Sequence, residues 1–382
     1  MTEPVPTRHP VGPDRVAAWL GSKLAEDAAT PVADVEIGPL TTPGVGQSND
    51  TLLFDARWRE GAARRRGSFV IRRQPTANQL FYEPDVLREY RVLRALEHGS
   101  DVPVPHVRWA EPDPSVLGAP FFVMTNVPGT VPSGKPSVHV VGWLPTLTPA
   151  QRRHLWESAM ACLVAVHAVD WRRTHAFLLD GDPQEADLEA HLRRLERWYG
   201  WVTRGRPYAV TDAALAHLFE HWLDVDPGDP VLVWGDARIG NMIFGDDFEV
   251  AAAIDWEVAC IGAPALDLAH WLFFDEFATA GAGVQRLEGF PDRATTIARY
   301  EALSGRTVAD LDYFGIVQGF FLATTLIRQA DLAVDQGRLA EGTRMGHDNT
   351  VTQMLARWLG LPVPELAPDY LAHRQAPGGT RP

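Results

Sequence analysis

Cysteine is nearly absent: Cys162 and Cys260 are the only two in 382 residues. Two lone thiols in apolar surroundings build no disulfide framework and no zinc site, and they lead us to expect a reducing, cytoplasmic setting. A long hydrophobic run is also missing. The longest, FGIVQGFFLATTLI, has 14 residues and includes Gln318. That is short of the ~20 that cross a bilayer, so a buried helix is expected and a membrane is not expected as a partner. The opening MTEPVPTRHPVGP is polar and proline-rich, unlike a signal peptide. Basic residues are outnumbered, with 35 Lys and Arg against 49 Asp and Glu. The imbalance is uneven: Met1 to Thr125 holds 14 against 16, the remainder 21 against 33. An acidic carboxyl-terminal portion argues against nucleic acid as a partner. It suits a cationic small molecule, or solubility alone. No G-x-x-x-x-G-K-[ST] phosphate loop occurs anywhere.

What is present changes texture part-way along the chain. DRVAAWLGSKLAED (14–27) has helical spacing with Asp14 at a plausible N-cap. VADVEIGPL, NDTLLFDARW and RGSFVIRR read as strands, with the charged REGAARRR as the loop between the last two. EPDVLREYRVLRALEHG is an amphipathic helix with a glycine stop, and VPVPHVRWAEPD and APFFVMTNVPG are two further strands. A Gly/Pro-rich connection follows. Helical patterns then dominate at 149–169, 185–202, 211–223, 265–280, 291–303 and 309–360, interrupted by one hairpin. The expected fold class is α+β and bilobal: a small antiparallel-sheet lobe at 14–127, a connection at 128–148, a larger helical lobe at 149–368, and a disordered tail at 369–382. Ligands favour the crevice between two such lobes.

The hairpin carries the chemistry. In VLVWGDARIGNMIFGDDFEVAAAIDWE, Asp236 and Asn241 stand five residues apart, and Asp255 follows fourteen later. A residue that precedes the first strand of a hairpin and one that follows the second lie at the same end, so Asn241 and Asp255 can converge. Singly, each has a plain reading: Asp236 and Asn241 as turn residues, Asp255 as a helix N-cap. Together, an amide oxygen and a carboxylate are hard ligands suited to Mg²⁺. Asp236 remains to face a substrate hydroxyl. That layout is the one used for phosphoryl transfer in protein-kinase-like enzymes.

WGDARIGN and IDWE resemble the H-G-D-x-x-x-x-N and I-D-W/F-E motifs of the aminoglycoside phosphotransferase/choline kinase-like family, whose fold is similar to that of protein kinases. The chain also resembles the kinase-like domains fused to some acyl-CoA dehydrogenases. The likeness covers about residues 35–330. It implies ATP and Mg as cofactors, Asp236 as catalytic base or positioning group, and Asn241 and Asp255 as metal ligands. It implies that Asp267, in GAPALDLAHW, supports the catalytic loop from the following helix. PGVGQSNDTLLF resembles the family's nucleotide loop, which points to Gly46, Ser48 and Asn49. Arg72 stands where the family usually has lysine, and arginine can serve phosphate bidentately. Glu89 would be its ion-pair partner. Met124, Thr125 and Val127 would pass behind the adenine. Trp234 replaces the family's histidine and would support the loop by packing. Glu257 and the lack of an A-P-E segment argue against a protein kinase.

The helical lobe is expected to bind the acceptor. Asp275 and Glu276, with Trp271 on the same stretch and Trp198, Tyr199 and Trp201 elsewhere, suit an amine through ion pairs and cation–π contacts. Each aromatic has an alternative reading as core. His167 lies on an apolar helix and is taken as a core or loop-supporting residue. The function expected is transfer of the γ-phosphate of ATP to a hydroxyl of a small molecule, with an aminoglycoside or a hydroxyacyl-type metabolite as acceptor. The rival is a nucleotide-binding module without catalysis.

Overall fold

In the computed structural model, which describes residues 12–42 and 50–375, the alternating stretches of the first third pair into one antiparallel sheet. The elements of this unit run α1 (Pro13–Asp27), β1 (Val32–Ile37), β2 (Asp50–Glu60), β3 (Ala63–Arg73), α2 (Val86–Gly99), β4 (Val107–Glu111), the single turn α3 (Pro114–Leu117) and β5 (Phe121–Thr125). Strand order is β1-β2-β3-β5-β4, every pair antiparallel. Side chains two apart share a face. Phe54, Ala56, Phe69, Ile71, Phe121 and Val123 therefore turn to one side, where Val16, Trp19, Leu20 and Leu24 of α1 close the core. On the other face Phe122 meets Tyr90 of α2, and Arg72 shares that face.

Two local expectations change here. α1 begins one residue early, with Pro13 in its first turn and Gly12 as a cap without a side-chain bond. Asp14 is a first-turn acid beside the positive end of the helix dipole, not the N-cap. The charged segment 59–66 is strand rather than loop: Glu60 pairs with Ala63 and Arg57 with Arg66, leaving Gly61 and Ala62 as the whole turn. Extended backbone with solvated arginines satisfies both the ladder and the charges.

A second unit contains residues 95–104, which include the end of α2, and 128–375. Its elements are α4 (Pro149–His167), the single turn α5 (Trp171–Thr174), α6 (Leu188–Thr203), α7 (Ala209–His221), β6 (Val231–Val233), β7 (Met242–Phe244), β8 (Val250–Ala253), β9 (Cys260–Gly262), α8 (Pro264–Ala278), α9 (Arg293–Ser304), α10 (Leu311–Asp335), α11 (Thr350–Trp358) and α12 (Pro368–Gln375). β6 pairs with β9 and β7 with β8, both antiparallel. α4 starts at a capping box between Thr148 and Gln151. α10 holds the long apolar run and is buried along most of its length.

Two expectations are corrected in this unit, the single helical run at 309–360 and the tail from 369. The helical run at 309–360 is two helices: α10 stops near Gly337, which takes φ +65° and releases the chain from the helix. The segment at 128–148 is packed, with Thr130 and Phe244 exchanging backbone hydrogen bonds at 2.9 and 3.0 Å. The tail expected from 369 is ordered as α12 up to Gln375, with Tyr370 buried and Arg374 donating to Gly281, Thr350 and Phe277. Among the described residues no helix is long and apolar enough to cross a membrane.

Candidate active site

The loop between β6 and β7 is held from beneath by a buried carboxylate. Asp267, in the first turn of α8, is 0% exposed. Its two oxygens accept from the backbone N–H groups of Trp234 and Gly235, each at 2.7 Å. His167 Nε2–H donates to the same carboxylate at 3.0 Å, and the hydroxyl of Tyr300 donates to His167 Nδ1 at 2.6 Å. Three donors on one carboxylate answer the cost of burying it. Gly235 takes φ +90°, and a Cβ there would lie 2.7 Å from the carbonyl oxygen of Val258. Only glycine suits both the angle and the approach.

This footing presents Asp236. The Asn241 side-chain amide donates to the Asp236 carboxylate at 2.6 Å and to its carbonyl at 3.0 Å. The Asn241 side chain thus spends its N–H on the loop and keeps Oδ1 for another partner. β7 and β8 pair Met242 with Ala253, and the N–H of Ile254 donates to the carbonyl of Asn241 at 2.9 Å, so the hairpin brings Asp255 to the end where Asn241 stands. Asp255 has φ +68° and starts no helix. The indole of Trp234 donates to the carbonyls of Ile254 and Asp255 (3.1 and 3.2 Å) and stacks on Trp256 with centroids 5.2 Å apart. Position 234 therefore ties the Asp236 loop to the Asp255 turn.

Two further side chains at Asp236 were not anticipated. Arg238 donates to both its oxygens (2.9 and 3.3 Å) while its guanidinium lies 4.9 Å over the ring of Phe274. His270 is 0% exposed. Its Nε2–H donates to Asp236 Oδ1 at 2.7 Å, and its Nδ1 meets the side-chain amide of Gln318 at 2.9 Å. Burial alone would lift the Asp236 pKa. The charge of Arg238 and the bond from His270 outweigh it and hold the carboxyl well below the usual carboxylate range. The same pairing outweighs the burial of Arg238 and raises its pKa. A signal for His270 existed: it follows Asp267 by three residues, one helical turn on the same face.

In the first unit Arg72 and Glu89 form an ion pair with N–O distances of 3.0 and 3.2 Å, and Arg72 also donates to Thr51 at 3.3 Å. Met124 is a buried residue of β5. The N–H of Thr125 is committed to the carbonyl of His106, and that of Asn126 to Ser68, both at 2.9 Å. Of Thr125 to Val127, this leaves Val127 as the free amide among the described residues. Gly46, Ser48 and Asn49 lie outside the described residues.

The expected acceptor residues are not assembled as a free acidic and aromatic surface. Trp271 is a core residue, 5% exposed and edge-on to Trp156, because α8 is buried on every side over its first ten residues. Trp198 and Tyr199 are likewise buried, against Phe321 and Phe320. Asp275 is ion-paired with Arg286. Glu276 shares with them a cavity of about 320 Å³, and burial, ahead of the opposing pull of Arg293 and Arg357, raises its pKa.

A family model described as "Phosphotransferase enzyme family" matches residues 40–303, more than half of the chain. The chain belongs to this family. Relatives of this phosphotransferase include acyl-CoA dehydrogenase family member 10 of Mus musculus, 29% identical over 229 residues, which are 59% of this chain and 19% of that protein. Acyl-CoA dehydrogenase family member 11 of Homo sapiens is 27% identical over 245 residues, 60% of this chain and 29% of that protein. The chain thus spans less than a third of either relative. A Ralstonia eutropha JMP134 structure assigned as an aminoglycoside phosphotransferase is similar at a TM-score of 0.64 and 24% identity, covering 91% of this chain and 98% of that one. Choline kinase LicA from Streptococcus pneumoniae is similar at a TM-score of 0.52 and 14% identity, covering 90% and 99%. These likenesses establish the bilobal α+β kinase-like fold.

Proposed function

We propose that this small-molecule phosphotransferase depends on ATP and Mg²⁺ and moves the γ-phosphate to an acceptor hydroxyl. The observation that carries the reading is the Asp236–Asn241 contact of 2.6 Å on a loop whose backbone is pinned by Asp267. Asp236, kept ionised, orients the hydroxyl by accepting its hydrogen bond. Positioning of this kind supplies most of the catalysis in phosphoryl transfer. Asn241 Oδ1 and the Asp255 carboxylate make a two-member oxygen donor set. It suits Mg²⁺, which takes one or two protein ligands and completes its shell with phosphates and water. The ion would neutralise charge on the phosphates. We assign Arg72, oriented by Glu89, and Gly46, Ser48 and Asn49 to the nucleotide phosphates, and Met124, Thr125 and Val127 to the base. Asp267 and Trp234 hold the loop. We further propose a nucleotide lobe at 14–127, an acceptor lobe at 149–368 and a cytoplasmic location.

For the acceptor, an aminoglycoside hydroxyl remains the first reading. A hydroxyacyl-type molecule is favoured by two observations: the relatives named as acyl-CoA dehydrogenases, and the neutralisation of Asp275 by Arg286. ADP release across aminoglycosides, amino alcohols and hydroxyacyl-CoA thioesters separates them, and silence across the panel favours a binding module without catalysis. With an active acceptor, Asp236→Asn is expected to abolish nearly all transfer while retaining ATP–Mg²⁺ binding. Wild-type turnover in that variant overturns the assignment.

A further inference from the structure

An ionised carboxylate has about four lone-pair positions, and at Asp236 four N–H groups meet them. Arg238 Nε–H and His270 Nε2–H donate to Oδ1 at 2.9 and 2.7 Å. The Asn241 amide and Arg238 Nη2–H donate to Oδ2 at 2.6 and 3.3 Å. A hydroxyl that Asp236 is to orient must come within hydrogen-bond reach of one of these oxygens, so one donor has to yield its place. His270 is 0% exposed and held by Gln318, and Asn241 is 4% exposed with a second bond to the Asp236 carbonyl, so both are fixed. Arg238 can move, because its side chain is 32% exposed on a flexible stem and its Nη2 contact is the longest of the set.

The guanidinium of Arg238 has a seat of its own. It lies 4.9 Å over the ring of Phe274 and close against Gly240, where a Cβ would fall 2.5 Å from Nη1. Glycine at 240 therefore lets Arg238 reach Asp236 in this pose. Asp236 and Asp255 both attract the guanidinium, and a phosphate arriving beside Asp255 would offer it a bidentate partner in exchange.

We propose that Arg238 occupies the acceptor's place on Asp236 and thereby excludes water as an acceptor. Resting on the phosphotransfer reading above, this makes Arg238 the residue that selects a hydroxyl compound over water. Were water to take that place, its oxygen would bond to the γ-phosphorus of ATP. The bond from that phosphorus to the bridging oxygen would break, with the electron pair leaving on ADP. One water proton would stay on the phosphate and the other would pass to solvent, so ATP would be consumed with nothing phosphorylated. A small-molecule acceptor brings binding energy from the rest of its structure, which can serve to displace Arg238. Water brings none.

ADP release from ATP–Mg²⁺ by the full chain without any acceptor tests the inference, because water is then the nucleophile. Two variants empty the seat by different routes. Arg238→Met removes the guanidinium. Gly240→Ala keeps it and pushes it aside, since the atom in the way is the end of a flexible side chain. Both should hydrolyse ATP about tenfold or more faster than the wild type, a modest share of the ~10²–10⁴ that a positioned base contributes. Adding Asp236→Asn should return both to the wild-type rate or below. A rise in Gly240→Ala alone still supports the exclusion and shows that the charge of Arg238 also serves the phosphates. Rates at or below the wild type in both single variants, in a chain that phosphorylates a member of the acceptor panel, overturn the inference. The seat is read without nucleotide by ¹⁵N NMR. The Arg238 Nε–H, assigned by its absence from Arg238→Met, should exchange slowly in the wild type and quickly in Gly240→Ala. Fast exchange in the wild type also overturns the inference. No ADP from any form, with or without acceptor, removes the proposed activity and the water exclusion together and leaves the exchange result standing, so the two failures are told apart.

Discussion

Asp267→Asn changes no volume and one atom, which makes it a sharp probe of the loop. Three donors converge on the carboxylate: two backbone N–H groups at 2.7 Å and His167 Nε2–H at 3.0 Å. Asparagine offers one oxygen and turns an NH₂ group towards the remaining donors. At least one charge-assisted bond, worth about 1.5–3 kcal/mol, is lost, and a buried N–H left without an acceptor adds about 1–3 kcal/mol. With the residue 0% exposed, water cannot repair the loss. The expected destabilisation is about 3 kcal/mol or more, a large share of the ~5–15 kcal/mol that holds a typical domain. Urea unfolding followed by tryptophan fluorescence reads it, since Trp234 sits on the perturbed backbone. Transfer activity should fall with it because Asp236 is carried by Gly235. A loss under about 1 kcal/mol with unchanged turnover would refute the claim that Asp267 fixes the loop.

Removing the guanidinium in Arg72→Met leaves the Glu89 carboxylate, 2% exposed, without its cation. Thermal unfolding should show a cost of about 3–5 kcal/mol, mostly recovered by adding Glu89→Leu. Burial pushes the Cys162 thiol up to about 12. Its nucleophilic thiolate is then only about one part in ten thousand at pH 8. Iodoacetamide on the native protein should label Cys260 and spare Cys162 by mass spectrometry, and urea should expose both.

The chain order of Asp236, Asn241 and Asp255 was legible because one hairpin defines their relation, and a hairpin's ends are set by its length. Gln318 was not, because it reaches His270 from a helix far along the chain, and no periodicity encodes where two helices meet; the one signal for His270 was its place one turn after Asp267 on the same face of α8. Arg238 lay within the motif, but its bond to Asp236 depends on how the loop curls. Trp271 misled for another reason: acids and aromatics on one stretch look like a binding face, whereas the first ten residues of α8 are buried all round and only its end, with Asp275 and Glu276, is partly exposed. In the small unit the alternation was a faithful guide to the core. The arginines of β2 and β3 read as loop because their charge density masks the strand pairing.

The stacked indoles of Trp234 and Trp256 bear on which substitutions this site can accept. Each side chain is fully buried and each forms the floor of the other. A lone Trp234→His substitution would leave a void under Trp256 and remove the donor that spans the carbonyls of Ile254 and Asp255. Effects at such neighbouring positions do not add, so substitutions at 234 and 256 are expected to act as one unit.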